Sequence, residues 1–111
     1  MPTLGVTDIE QALAFWESIG FQRWWKFPEN GDATHVSVRF GQVSILLALL
    51  EEGNDNIQKQ SVYVVVENVI ACHLRCSTTH PDTTTDLDDY DYGMRDFSLT
   101  DPWGHFVVFG E

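Results

Sequence analysis

Cys72, Cys76 and His80 recur at every fourth residue, and on a helix that spacing would line two thiols and an imidazole along one face, a donor set for zinc. Pro81 and the preceding Ser77-Thr78-Thr79 end the helix before His80 can join it, so the cysteines read as buried thiols. The run Asp86-Leu87-Asp88-Asp89-Tyr90-Asp91 invites calcium. Counted from Asp86, however, an EF-hand loop needs Gly at its sixth position and Glu at its twelfth, where Asp91 and Phe97 stand. The run reads as a solvated acidic loop. The chain contains no nucleophile elbow, Gly-rich phosphate loop or paired Cys motif.

The remaining chemistry is that of flat rings and carboxylates. Seven Phe, four Trp and three Tyr can build a core or a surface on which planar ligands stack. Seventeen carboxylates against six basic residues give a net charge of −11, which repels nucleic acid and anionic membrane and favours cationic ligands. Trp24, Trp25 and Phe27 crowd one strand. Neighbours on a strand alternate faces, so Trp25 and Phe27 are expected to point one way and Trp24 the other, toward the helix.

The elements that would position these groups can be read from periodicity. Residues 3–7 form a short strand, and Asp8 caps a helix with Gln11 at the capping-box position. Ile9, Ala12, Leu13, Trp16 and Ile19 recur at helical spacing, and Gly20 closes the helix. Strands follow over 21–27, 34–40 and 43–50, separated by residues 28–32 and by Gly41-Gln42. The polar stretch 51–60 is a connector. Beyond it the order repeats with a strand over 61–66 and a helix introduced by Glu67-Asn68. Val6, Asp8 and Ala12 recur as Val65, Glu67 and Ala71 at an offset of 59, marking two copies of one unit. Residues 77–92 hold five Asp and at most one short strand. Strands over 94–100 and 105–109 flank the turn Asp101-Pro102-Trp103-Gly104. At 111 residues this is one domain, 1–111, with modules of about 1–52 and 60–111. The opening residues MPTLGVTDIE carry no basic segment followed by an apolar run, and no stretch reaches about 18 apolar residues, so a soluble cytoplasmic protein is expected.

The segments LGVTDIEQALAFWESIGF and YGMRDFSLTDPWGHFVVFGE, with the repeat between them, resemble the opening and closing patterns of the glyoxalase/bleomycin-resistance/dioxygenase superfamily, also called vicinal oxygen chelate. The resemblance implies an α+β fold of two βαβββ modules whose curled mixed sheets form a cleft. It also implies a homodimer and, in the family's enzymes, a divalent metal held by His and Glu or Gln on the first, fourth, fifth and eighth strands.

The candidates at those positions are Leu4 and Val6, Glu51 just past the fourth strand, Tyr63, and Val107 and Val108, and one carboxylate cannot hold a catalytic ion. His35 lies on the third strand, which carries no ligand in the family, and His105 follows the Asp-Pro-Trp-Gly turn and serves it. No catalytic residue, metal or cofactor is therefore assigned. The closest resemblance is to the bleomycin-resistance type, which sequesters its drug unchanged; Tyr92 stands where such relatives carry a ligand-stacking Trp. The expected function is metal-free sequestration of a small cationic aromatic ligand by Trp25, Phe27, His35, Phe40, Glu51, Asp91 and Tyr92. The alternatives are a metal-dependent lyase or dioxygenase using Glu51 with His35 or His105, and a dimeric module without ligand.

Overall fold

The computed structural model describes residues 1–51, 53, 57–89 and 94–111. They fall into two compact units, Met1–Gln60 and Ser61–Glu111.

In the first unit, β1 (Thr3–Val6) leads into α1 (Ile9–Ser18), followed by β2 (Gln22–Phe27), β3 (His35–Phe40) and β4 (Val43–Leu49). The Asp8 carboxylate accepts from the Gln11 N–H at 3.0 Å, satisfying a donor that the first helical turn cannot. At the other end the Gly20 N–H donates to the Glu17 carbonyl and the Phe21 N–H to the Trp16 carbonyl. That paired closure needs a left-handed residue, and Gly20, at φ 112°, provides it.

The strands order as β1-β4-β3-β2, with β1 parallel to β4 and the other pairs antiparallel. Registers Leu4↔Leu47 and Val36↔Leu47 place Leu4, Val36 and Leu47 on one face, with Val6, Val38 and Ile45 in the same set. These six are buried, as are Ile9, Ala12, Leu13 and Trp16 of α1, so this face packs against the helix. Trp16 is fully buried with the rings of Phe15 and Phe21 edge-on at 5.3 and 5.1 Å. Thr3, Gly5, His35, Ser37, Arg39, Ser44, Leu46 and Ala48 lie on the opposite, open face.

The second unit repeats the plan with β5 (Ser61–Val65), α2 (Val69–Thr79), β6 (Asp88–Asp89), β7 (Arg95–Thr100) and β8 (Phe106–Gly110). Its strand order, β5-β8-β7-β6, is the same. The repeat expected at an offset of 59 holds for the strand ends Val6 and Val65, but the helices are offset by 60. Asn68, not Glu67, accepts from the Ala71 N–H at 3.0 Å, and Trp16 and Cys76 are the matching fully buried residues. The second strand-to-helix turn is one residue longer. Helix α2 ends at Thr79 with His80 as its cap, as Pro81 implies. Among the described residues of 77–92 the only strand is the two-residue β6, with one further bridge between Thr84 and Leu99.

Candidate functional site

Strand β2 forms an edge of its sheet, and all six of its residues are exposed. An edge bearing three large aromatic rings is unusual, because such edges are normally blunted with charge. Its pairing with β3 shifts between Arg23, opposite Val38, and Trp25, opposite Ser37, leaving Trp24 as the extra residue of a bulge. The strict alternation expected from the sequence is corrected here. Trp24 does not turn toward α1; it is 52% exposed and the Arg39 guanidinium lies 5.1 Å above its ring. Because Arg39 is on the open face, the bulge brings Trp24 to the same side as Trp25 and Phe27. Arg23 and Lys26, opposite Val38 and Val36, take the helix side.

Three of the residues chosen from sequence therefore come together. Trp25 lies opposite Ser37, Phe27 lies opposite His35, and the Phe27 and His35 rings are 6.4 Å apart. Thr34 Oγ1, 2.9 Å from His35 Nδ1, fixes that imidazole. Phe40 sits elsewhere. It shares the parity of Val36 and Val38, and its ring meets Phe21 on the helix side at 5.5 Å. That parity was present in the sequence and points away from the open face. Glu51 is exposed beyond β4, and Asp91 and Tyr92 lie outside the described residues.

Beside the aromatic edge runs a groove of about 470 Å³, within the size range of ligand sites. Ile9, Leu13, Val36 and Leu49 supply its apolar lining, and Trp24 and Trp25 border it along β2. Its polar groups are Asp8 and Glu10 from the start of α1, Asp32 from the β2–β3 loop, and Arg23 and Lys26. Arg23 is already engaged by Glu17 at 2.9 Å, so among the described residues three carboxylates and the Lys26 ammonium remain to face a ligand. In the sequence Asp8 reads only as a cap and Asp32 only as a turn residue. No local signal joins them, since they meet through the packing of α1 against the β2–β3 end of the sheet.

The donor set expected for a family metal does not fit one. Leu4, Val6 and Val107 are fully buried in the helix-facing cores. The open-face positions of β1, β4, β5 and β8 are Thr3 and Gly5; Ser44, Leu46 and Ala48; Ser61, Tyr63 and Val65; Phe106, Val108 and Gly110. None carries an imidazole, carboxylate, carboxamide or thiolate. Among the described residues no group of three or more His, Cys, Asp or Glu could hold a metal ion.

The other reactive residues have structural surroundings. His105 is fully buried, and its N–H donates at 2.8 Å to the Asp101 carboxylate, which also accepts from the Trp103 N–H at 2.9 Å. Burial raises the Asp101 carboxyl above its ordinary range, against the opposing pull of His105 and of backbone donors. His73 Nε2 donates to the Thr85 carbonyl at 3.0 Å, and its ring packs on Phe97 at 4.9 Å. The hydrogen bond from Cys76 lowers the Cys72 thiol, while the same bond and burial push Cys76 up. Cys76 is fully buried, as expected for a core thiol, but Cys72 is only half-buried, which corrects the expectation for that residue. Among the described residues no helix is long and apolar enough to cross a membrane.

Comparison with known proteins places this arrangement. The chain is similar in structure to TioX from Micromonospora sp. ML1, at 22% identity over 98% of this chain and 94% of that one, with a TM-score of 0.85. It is similar to a bleomycin-binding protein of Streptomyces verticillus, solved with copper(II)-bleomycin, at 24% identity over 97% and 90% of the two chains and a TM-score of 0.67. It is also similar to a lactoylglutathione lyase from Agrobacterium tumefaciens, at 17% identity over 98% and 89% and a TM-score of 0.72. At these identities the likeness establishes the fold, and that fold serves binding proteins and an enzyme alike. None of the curated proteins matches this chain in sequence. Residues 2–109 match the Glyoxalase/Bleomycin resistance protein/Dioxygenase superfamily, and with the repeated βαβββ unit carrying both of its end motifs, the chain belongs to that superfamily.

Proposed function

We propose that this protein is a metal-free cytoplasmic binding protein that sequesters a small cationic aromatic molecule without changing it. The observation that carries the reading is the edge strand β2, which presents Trp24 and Trp25 on its open face and borders, on its helix side, a groove with Asp8, Glu10 and Asp32. Exposed indoles supply stacking area for a heteroaromatic ring, and carboxylates supply the counter-charge for its cationic group. The chain's charge of −11 favours the approach of such a ligand. The structurally similar Streptomyces verticillus protein binds bleomycin, which supports the same class of ligand. The open-face donor set supports binding in preference to metal-dependent lyase or dioxygenase chemistry.

Tryptophan fluorescence titrated with bleomycin-type glycopeptides and other cationic aromatics tests the reading. The expected result is a saturable one-to-one change, abolished in Trp25→Ala and weakened in Asp32→Asn; no saturable change with any of them would overturn it. The reading includes a homodimer, which the exposed Tyr63, Val65 and Phe106 side chains support. Sedimentation equilibrium at micromolar concentration should then give twice the 12.6 kDa chain mass.

A further inference from the structure

The chain holds four arginines. Arg23 binds Glu17 at 2.9 Å and Arg95 binds Asp89 at 2.7 Å, as arginines in so acidic a protein would. Neither Arg75 nor Arg39 makes an ion pair among the described residues, and Arg39 rests on an aromatic ring instead. Seventeen carboxylates are available in the chain, yet the Arg39 guanidinium lies over the Trp24 ring at 5.1 Å. The contact exists because the bulge turns Trp24 onto the open face, where Arg39 projects from the neighbouring strand. A planar cation is thus already seated on one of the two indoles assigned above to ligand binding, and both partners are exposed, so neither is locked by packing.

We infer that Arg39 occupies the place of a ligand's own cation, and that the ligand presents a planar guanidinium or amidinium group to Trp24 and displaces Arg39 on binding. Planarity matters because a guanidinium or amidinium can lie flat on an indole while an ammonium meets it as a point charge. Arg39 then sets specificity. A cation must outcompete the internal guanidinium, which raises the threshold for weakly stacking amines and leaves planar cations favoured. The inference rests on the binding function proposed above and names the chemical class the site selects.

The test uses the full-length protein titrated with benzamidine, its neutral analogue benzamide, and butylamine, followed by tryptophan fluorescence. Wild type should bind benzamidine saturably and benzamide far more weakly. Arg39→Gln should bind benzamidine about two- to fivefold more tightly, the range expected when an exposed cation–π competitor is removed. Arg75→Gln removes the same charge from an exposed position in the second unit and should leave the affinity unchanged, which separates stacking from net charge. Trp24→Leu should cancel the gain in the Arg39→Gln background. Equal benzamidine affinity in wild type and Arg39→Gln, or an equal gain in Arg75→Gln, would overturn the inference while the wider binding function stands. Tighter butylamine than benzamidine binding in Arg39→Gln would also overturn it. If neither protein binds benzamidine but larger cationic aromatics still bind, this inference fails alone; if nothing binds, the proposed function fails with it.

Discussion

Asp101 shows how one side chain can hold a turn and resist its own charge. It is 5% exposed, its Oδ1 accepts from the Trp103 and His105 N–H groups, and its Oδ2 is buried without a hydrogen-bond partner among the described residues. Burial raises its carboxyl above the ordinary carboxylate range, so the neutral form is more favoured in the folded chain than in the unfolded one. The corresponding stability is fully present below pH 3.8 and is lost as pH rises through the raised value. Asp101→Asn keeps an acceptor and stays neutral. Its urea midpoint should therefore gain on wild type as pH rises from about 3 to about 7. Asp101→Ala should be destabilised at every pH by about 1–3 kcal/mol for each orphaned buried donor. At Gly110, a Cβ would run into the Tyr63 hydroxyl and ring, so the half-exposed Tyr63 side chain would have to swing aside. Gly110→Ala should cost no more than about 1 kcal/mol, and adding Tyr63→Ala should remove that cost, measured as a non-additive double-mutant cycle in urea.

At the scale of the element, the two helix caps look alike and should behave differently. Asp8 and Asn68 each accept from the N–H three residues on, at 3.0 Å, and replacing either by Ala should lower stability by about 1 kcal/mol. Asp8 also borders the groove, so only Asp8→Ala should weaken binding of a cationic aromatic as well; thermal melts and a fluorescence titration of both variants check the pair. The β2 bulge offers a sharper test. Deleting Trp24 removes the extra residue and lets β2 pair with β3 without a shift, keeping Trp25 opposite Ser37. The deletion should retain the far-ultraviolet circular dichroism of the fold and lose the double-indole surface, lowering ligand affinity more than Trp24→Phe does.

Each of the two units buries its apolar face against its own helix, and the chain as a whole carries a net charge of −11. Charge at this density acts on rates more than on affinity at contact. The association rate of a cationic aromatic ligand should fall severalfold between about 0.01 M and about 0.5 M salt, as the screening length shrinks from about 30 Å toward a few ångströms. Stopped-flow fluorescence would measure it. The dissociation rate, governed by stacking on Trp24 and Trp25, should change much less.

Much of the fold could be read before any coordinates, because it is encoded locally. Helical spacing from Ile9 to Ile19, the Asp8 cap, the Gly20 closure, Pro81 and the Asp101 turn each act within a few residues, and the elements other than β6, for which the sequence sets no bounds, lie within one or two residues of their expected bounds. Phe40's direction was also within reach, since Val36 and Val38 share its parity. The bulge at Trp24 was not. No Gly or Pro marks it, and its position depends on how β3 pairs with β2, a matter of register between distant residues. The meeting of Asp8, Glu10 and Asp32 beside the tryptophans was equally hidden, because α1 and the β2–β3 loop come together only when the helix packs on its sheet. Residue types and periodicity were enough for the elements and the acidic, aromatic character of the chain; which rings share a face, and which charges lie beside them, was decided by tertiary packing.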